Sequence, residues 1–341
     1  MRRLLFALSL VVLLPLPKVY ADGCTSQAAM PAATRTIISQ AALGFARQIQ
    51  NAEIAAIRAN TIPAYSGENF TGIQEAIGEA SPNIKGAIFN VQSVWLLDAS
   101  NLKPSPDGTL QDGQFFCTLH SAMSEVSFII PSLPQGRYAL AIVDSVSEKN
   151  PWQLSFLMQE IAGGWRLAGF FPHALTAGGH DGLWYWRAAR DFTVKKQPWN
   201  AWFYYKQTVA LLRPVTFMSS THLDKLLDEM NKAAPHAVAQ GLSAQSPLVL
   251  KNADGSDLFI TALGTDTSLG TSPIDLAMHI RVDAPVSDPI AGRARNRLAA
   301  ATLLKSYPEL RSAFHGVWIF ADAPGASPFA TEEPMTNLPP Q

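Results

Sequence analysis

The sequence predicts an α+β fold with two N-terminal helices on an antiparallel sheet, a helical middle segment and a small C-terminal βββαβ domain. Three observations support this prediction. Apolar residues repeat at helical spacing near the N-terminus, alternate with polar residues in several later segments, and show both patterns again near the C-terminus. The length of 341 residues fits two or three domains, and an apolar content of 48% is enough to form buried cores.

The first 21 residues are typical of a secretory signal peptide. Arg2 and Arg3 precede the apolar run Leu4–Leu16, and Val19-Tyr20-Ala21 forms a small-x-small cleavage site. The run is shorter than the roughly 20 residues of a membrane-spanning helix, and no later stretch approaches that length. We therefore expect a secreted or periplasmic protein that is cleaved after Ala21 and has no transmembrane helix in its mature chain.

Cys24 and Cys117 leave three alternatives open. An oxidising compartment favours a disulfide between them, which would attach a flexible lead-in at residues 22–35 to a strand. Cys24 follows a glycine as in lipoproteins, but Ala21 stands where a leucine is usual, so a lipid anchor through Cys24 is the minor alternative. Two unpaired thiols are the third.

The N-terminal α+β domain is expected over residues 36–173. Helical spacing predicts a long helix at Thr36–Thr61, which Pro63 ends, and a shorter helix at Thr71–Ala80. Period-two alternation and turn residues then predict strands, at 87–97, 114–119, 124–130, 137–145, 152–161 and 164–171.

A glycine-rich connector, Ala174–Gly182, leads to a helical segment at residues 180–234. Cap residues and prolines predict its three helices, at 181–194, 198–212 and 221–233. A small α+β domain follows at residues 245–323. Its hairpin, strand, helix and closing strand are expected at 248–263, 274–283, 289–305 and 317–321. The proline-rich residues 324–341 are expected to be a loose tail.

Two polar groups are candidates for catalysis. His180 and Asp181 form an adjacent pair in the glycine-rich connector, but the favoured interpretation is structural, with Asp181 capping the next helix and the glycines forming a hinge. On the strand at 274–283, Asp275, His279, Arg281 and Asp283 share one face at about 7 Å spacing and could converge on a ligand. A solvated sheet face gives the same pattern and is the favoured interpretation.

Aromatic residues are concentrated at residues 184–205, where nine of 22 residues are Trp, Tyr or Phe. Helices that are apolar on most sides are either buried between domains or offer a binding platform. Burial as a hub is favoured. The binding hypothesis nominates the residues that typically dominate such contacts, Trp184, Trp186, Trp199, Trp202 and Tyr205.

Charge and motifs exclude several classes of protein. Cleavage of the signal peptide leaves 23 basic against 27 acidic residues, which argues against a nucleic-acid partner. The sequence has no phosphate loop, dinucleotide fingerprint, nucleophile elbow or zinc-ligand spacing, so we expect no cofactor and no metal. The remaining partners are a small molecule, a glycan or an envelope protein.

The N-terminal domain resembles the nuclear transport factor 2-like superfamily. The resemblance covers residues 36–173 and is carried by the hairpin strand Gly164-Trp165-Arg166-Leu167-Ala168-Gly169 after the strand Gln153–Glu160. It implies a long and a short helix packed on a curved antiparallel sheet, with a possible pocket between helix and sheet. Catalytic members usually place an acid or a histidine in that pocket, for which the candidates here are Asp98, His120 and Asp144.

Together these features predict a secreted or envelope-associated binding or scaffold protein, with contacts through the N-terminal pocket or the aromatic helices. The alternative is a secreted enzyme with an acid–base site in the N-terminal pocket or on the Asp275–Asp283 strand face. The sequence names no reaction, and binding is the favoured hypothesis.

Overall fold

A computed structural model describes residues 23–118, 125–146, 150–238 and 241–339. The fold is α+β, as the sequence predicts. Its helices, α1 to α8, are Ala32–Gln50, Ile54–Ala59, Pro63–Ser66, Thr71–Asn83, Gly182–Val194, Pro198–Leu212, Thr221–Ala233 and Pro289–Ser306. Its strands, β1 to β15, are Gly23–Ser26, Ile88–Ala99, Gly113–Thr118, Glu125–Ile130, Gly136–Val146, Trp152–Ile161, Gly164–Ala174, Thr176–Ala177, His180–Asp181, Met218–Ser220, Leu248–Lys251, Asp257–Asp266, Asp275–Arg281, Gly316–Asp322 and Phe329–Pro334. The predicted signal peptide and His120 lie outside the described residues.

The N-terminal part has three layers. A five-stranded antiparallel sheet, in the order β1-β2-β5-β6-β7, lies in the middle. Helices α1 and α4 cover one face, where Phe45, Phe156 and Phe170 stack in the core. A three-stranded sheet, in the order β10-β4-β3, covers the other face. The middle segment supplies β10, so residues beyond 173 help to build this part.

The long helix predicted at Thr36–Thr61 is interrupted. Helix α1 ends at Gln50, Ala52 adopts a left-handed conformation with φ of 54°, and α2 begins at Ile54. The Gln50 side chain donates hydrogen bonds to the backbone carbonyls of Ile84 and Ala87, which ties the end of α1 to the end of α4. The apolar periodicity of the sequence continues through the break between α1 and α2. The sequence pattern therefore predicts one uninterrupted helix.

Residues 23–35 of the segment expected to be a flexible lead-in are ordered. Gly23–Ser26 forms the edge strand β1 on β2, and α1 begins already at Ala32. The predicted disulfide is confirmed: Cys24 is bonded to Cys117 of β3, with the two Cα atoms 5.4 Å apart. This bond links the five-stranded sheet to the three-stranded sheet and leaves no free thiol at Cys24.

The middle helices begin and end close to the predicted residues. The side chain of Asp181 caps α5 by accepting a hydrogen bond from the Trp184 amide, and Ser220 caps α7 in the same way. The connector before α5 is a tight hairpin of β8 and β9 rather than an irregular loop. Gly178 and Gly179 make its turn with positive φ, a conformation that glycine adopts without steric cost.

The C-terminal domain is a five-stranded sheet in the order β11-β12-β13-β14-β15, with α8 on one face. Strands β13 and β14 are parallel, because α8 crosses over between them. The tail expected to be loose forms β15, so the unit is βββαββ. Backbone pairing with β14 between Gly316↔Pro334 and Ala321↔Phe329 holds this strand in place.

Within the described ranges, no helix combines the length and the apolar content that crossing a lipid bilayer requires.

Replacing Cys24 and Cys117 together by serine should lower the free energy of unfolding by about 2–4 kcal/mol, because the bond closes a loop of 93 residues. Denaturant titrations of the double variant and of the parent, with and without reductant, measure this loss. Reductant should lower the free energy of unfolding of the parent but not that of the double variant. Equal stability of variant and parent would show that the bond contributes nothing.

His173 of β7 should make the free energy of unfolding depend on pH. Burial lowers the pKa of His173 to about 4, and the side chain contacts the backbone of Leu211 in α6. As pH falls from 6.5 towards 4, the unfolded chain takes up a proton here that the folded chain does not, so stability falls. We expect His173→Gln to reduce that fall by about 1–3 kcal/mol in denaturant titrations at pH 7, 5.5 and 4.5. Parallel curves for both proteins would contradict this assignment.

Candidate functional site

An apolar groove lies beside β7, the last strand of the five-stranded sheet, where α4 meets the sheet. Its cavity volume is about 680 Å³. Four parts of the chain supply its walls: α3–α4, β4 with the turn after it, the β6–β7 hairpin and the loop before β10. The lining residues are Tyr65, Asn69, Gly72, Ile73, Ile129, Ile130, Pro131, Leu157, Ala168, Gly169, Phe170, Phe171, Thr216 and Phe217.

Side-chain and backbone contacts hold the walls of the groove in place. Phe171 and Phe217 meet edge to face with ring centroids 5.3 Å apart, which fixes the loop before β10 against β7. Next to the groove, Leu167 of β7 exchanges backbone hydrogen bonds with Asn60 and Ile62, which covers the neighbouring stretch of the strand edge. The space deeper between helices and sheet is filled by the core, so the groove is at the outer end of the helix–sheet interface.

A smaller cavity of about 340 Å³ lies between α5 and α7. The Trp186 indole donates a hydrogen bond to Glu229, and the Arg190 guanidinium lies over the same ring and binds the same carboxylate. The hydrogen bonds from Arg190 hold the pKa of Glu229 below its usual range. The cations Arg187 and Lys225 also line this cavity, which makes it basic.

The five aromatic residues nominated for binding do not form one surface. Trp199 and Tyr205 are buried in the core that joins the middle helices to the C-terminal sheet, so a partner cannot reach them in the folded chain. Trp202 and Trp186 are partly buried against the same core. Trp184 is 38% exposed and stacks on His180 at 3.7 Å between ring centroids. The hub interpretation therefore describes most of this segment.

The connector pair His180 and Asp181 does not form an acid–base dyad. The Asp181 carboxylate is engaged with the backbone of α5, whereas the His180 ring lies flat on Trp184. Asp181 therefore stabilises the start of α5, and His180 packs in the aromatic cluster.

The polar row on β13 divides into two His–Asp pairs instead of converging. His279 Nδ1 lies 3.0 Å from Asp322 Oδ2, and its ring stacks on Phe320. Asp275 is fully buried at the start of β13, and its Oδ1 lies 2.9 Å from Nδ1 of His315. The other two members of the row are exposed: Arg281 lies over the Phe259 ring, and Asp283 lies beyond the end of the strand.

A third group joins the second pair. Glu332 Oε1 lies 4.0 Å from His315 Nδ1, and Asp275, His315 and Glu332 together could hold a metal ion. Burial, and next the negative charge of Asp275, raise the pKa of Glu332. Sequence reasoning missed His315 and Glu332 because the first precedes an apolar strand and the second lies in the segment expected to be loose.

The remaining acidic candidates of the N-terminal domain are set apart from the groove. Asp98 is exposed, and hydrogen bonds from Ser100 hold its pKa below the usual range. Burial raises the pKa of Asp144, which accepts a hydrogen bond from Gln153 at 2.8 Å. Neither residue lines the groove.

The chain matches no family model, no curated protein and no solved structure.

Trp199 and Trp184 differ in solvent exposure, so we expect their replacement by alanine to destabilise the protein to different extents. Trp199→Ala should cost about 3–5 kcal/mol of unfolding free energy, because its ring is 3% exposed and packs on Tyr307 and Phe203. Trp184→Ala should cost about 1 kcal/mol or less, since its backbone amide remains bound to Asp181. Thermal and denaturant unfolding of both variants measure the difference. A stable, folded Trp199→Ala variant would overturn the hub interpretation.

Proposed function

We propose that this chain is a secreted or periplasmic binding protein whose ligand site is the apolar groove at the β7 edge. The observation that carries the proposal is the groove itself, a concave space of ligand size whose walls come from four separate parts of the chain. The disulfide between Cys24 and Cys117 and the signal-peptide pattern support an oxidising compartment.

The lining favours a ligand with a largely hydrocarbon body and one polar group. Most wall residues are aliphatic or aromatic, and the polar side chains among them are those of Tyr65, Asn69 and Thr216. A glycan would leave most of its hydroxyl groups without hydrogen-bond partners on such walls, which costs free energy. Among the expected partners, a small apolar molecule therefore suits the groove better than a glycan.

Binding is favoured over catalysis at this site. No Asp, Glu, His, Lys or Cys side chain belongs to the groove lining, so the walls offer no group that exchanges protons near neutral pH. The candidates His180, Asp181, Asp275 and His279 lie in other elements, and each has a structural partner of its own.

Fluorescence of 1-anilinonaphthalene-8-sulfonate provides the test, with dodecanoic acid as the competitor. We expect the dye to bind the folded protein one to one and the acid to displace it. Ile129→Glu, which places a charge at the groove wall, should weaken both affinities at least about tenfold, equivalent to about 1.4 kcal/mol. Phe217→Ala should weaken both as well, because it removes one aromatic wall.

The matched control is Ile88→Glu. Ile88 is also an exposed strand isoleucine, but it is not part of the groove lining, so this variant should bind like the parent. Equal weakening by both glutamate variants, or no displacement of the dye by the acid, would contradict the proposal. Unchanged circular dichroism of each variant excludes loss of folding as the cause.

A further inference from the structure

Three strand ends bring Asp275, His315 and Glu332 together at one edge of the C-terminal sheet. Strands β13 and β14 are parallel, so Asp275 at the start of one lies beside His315 just before the start of the other. Strand β15 is antiparallel to β14 and brings Glu332, near its end, to the same edge. Residues separated by 40 and 17 positions in the chain thus become neighbours.

The backbone holds the central residue of this group from both sides. The His315 amide donates a hydrogen bond to the Ile274 carbonyl at 3.1 Å, and the His315 carbonyl accepts one from the Met335 amide at 2.9 Å. The histidine is therefore anchored between β13 and the end of β15, and its position does not depend on a flexible loop.

The spacing of the side-chain atoms suits a metal ion. Asp275 Oδ1 lies 2.9 Å from His315 Nδ1, and Glu332 Oε1 lies 4.0 Å from the same nitrogen. One potential ligand atom from each of the three residues lies within 4.8 Å of the other two. Ligands at about 2.0–2.2 Å from a tetrahedral zinc ion lie roughly 3.3–3.6 Å apart. Small side-chain rotations would bring the three atoms from their present separations to the spacing of zinc ligands.

Two independent observations indicate that the space between these atoms is suited to an ion. Glu332 Oε1 is shielded from solvent and has no hydrogen-bond partner within the part of the chain that the structure describes, which is costly for a carboxylate oxygen. Gly316 leaves room beside it: a Cβ there would collide with Glu332 Oε1 and would lie 3.1 Å from Asp275 Oδ1. The missing side chain keeps the gap between the two carboxylates open.

The local charge also favours a cation. Asp275 is fully buried, Glu332 is mostly buried, and the buried Glu333 follows directly. Arg293 is paired with Glu333 at 3.3 Å, and its charge offsets only part of the negative charge at Glu332, whose pKa stays above its usual range through burial and then the charge of Asp275. Two close carboxylates disfavour each other's ionised form, and a divalent cation between them would offset that repulsion.

We propose that Asp275, His315 and Glu332 bind one divalent transition-metal ion of the zinc class. A nitrogen and two carboxylate oxygens suit that class better than they suit calcium or magnesium, which prefer oxygen ligands alone. His315 keeps 40% of its side-chain surface exposed, so a water molecule or a small anion can reach the ion from solvent. The site would connect β13, β14 and β15, and it is independent of the groove.

Zinc titration of the chelator-treated full-length protein, by calorimetry and by native mass spectrometry, tests the proposal. We expect one ion per chain, a rise in melting temperature on adding zinc, and affinity reduced at least about tenfold by His315→Gln or Glu332→Gln. Glu332→Gln should fold at least as well as the parent without metal, because it removes a negative charge beside Asp275. Loss of binding with intact folding separates ligation from a structural role.

The second His–Asp pair of the same sheet is the matched control. His279 and Asp322 have the same chemistry and spacing but belong to no three-ligand group in the described residues, so His279→Gln should bind zinc like the parent. Gly316→Ala retains all three ligands and should still lose affinity, because its Cβ occupies the gap. Absence of one-to-one binding, or equal losses in His279→Gln and His315→Gln, would overturn the proposal.

Discussion

Burial of the aromatic side chains of α5 and α6 is the interaction on which the rest of the structure depends. Tyr204 donates a hydrogen bond to the Ala313 carbonyl and packs edge to face on Phe314, which connects the middle helices to the C-terminal sheet. One apolar core therefore includes α5, α6, α7, α8 and the strands β12 to β14. The middle segment has no core of its own, and it is folded because it completes the C-terminal core.

The same segment determines the shape of the N-terminal groove. After α6, Val215 and Met218 enter the core between the two N-terminal sheets, and β10 pairs with β4. Thr216 and Phe217, between these anchors, become part of the groove wall. The aromatic helices thus act on the groove through their position: they hold the loop that closes one side of it, although most of their own rings are buried.

Predictions from local sequence signals were reliable where one side chain binds the backbone a few residues away. Asp181 was predicted as a helix cap, and its side chain accepts a hydrogen bond from the Trp184 amide three residues later. For α7 the sequence left Ser220 and Thr221 as alternative caps, and Ser220 is the one that accepts from the Leu223 amide. The disulfide partners followed from the number of cysteines and the compartment. The break after Gln50 and the strand Phe329–Pro334 were missed because each depends on distant backbone partners, on α4 in the first case and on β14 in the second.

The sequence predicted a pocket between helix and sheet and nominated Asp275, but the full residue set of neither candidate site could be predicted, for the same physical reason. The row on β13 predicted one site because alternate residues share a face, but neighbouring strands provided each histidine and aspartate with its own partner and divided the row. The groove has no periodic signal, since its walls meet only after two sheets and a helix have packed. A site that is assembled from strand ends depends on strand order, and here the order follows from the crossover of α8 that makes β13 and β14 parallel. The spacing of residues along a chain therefore identifies ligands only where they share one element, and Asp275, His315 and Glu332 do not.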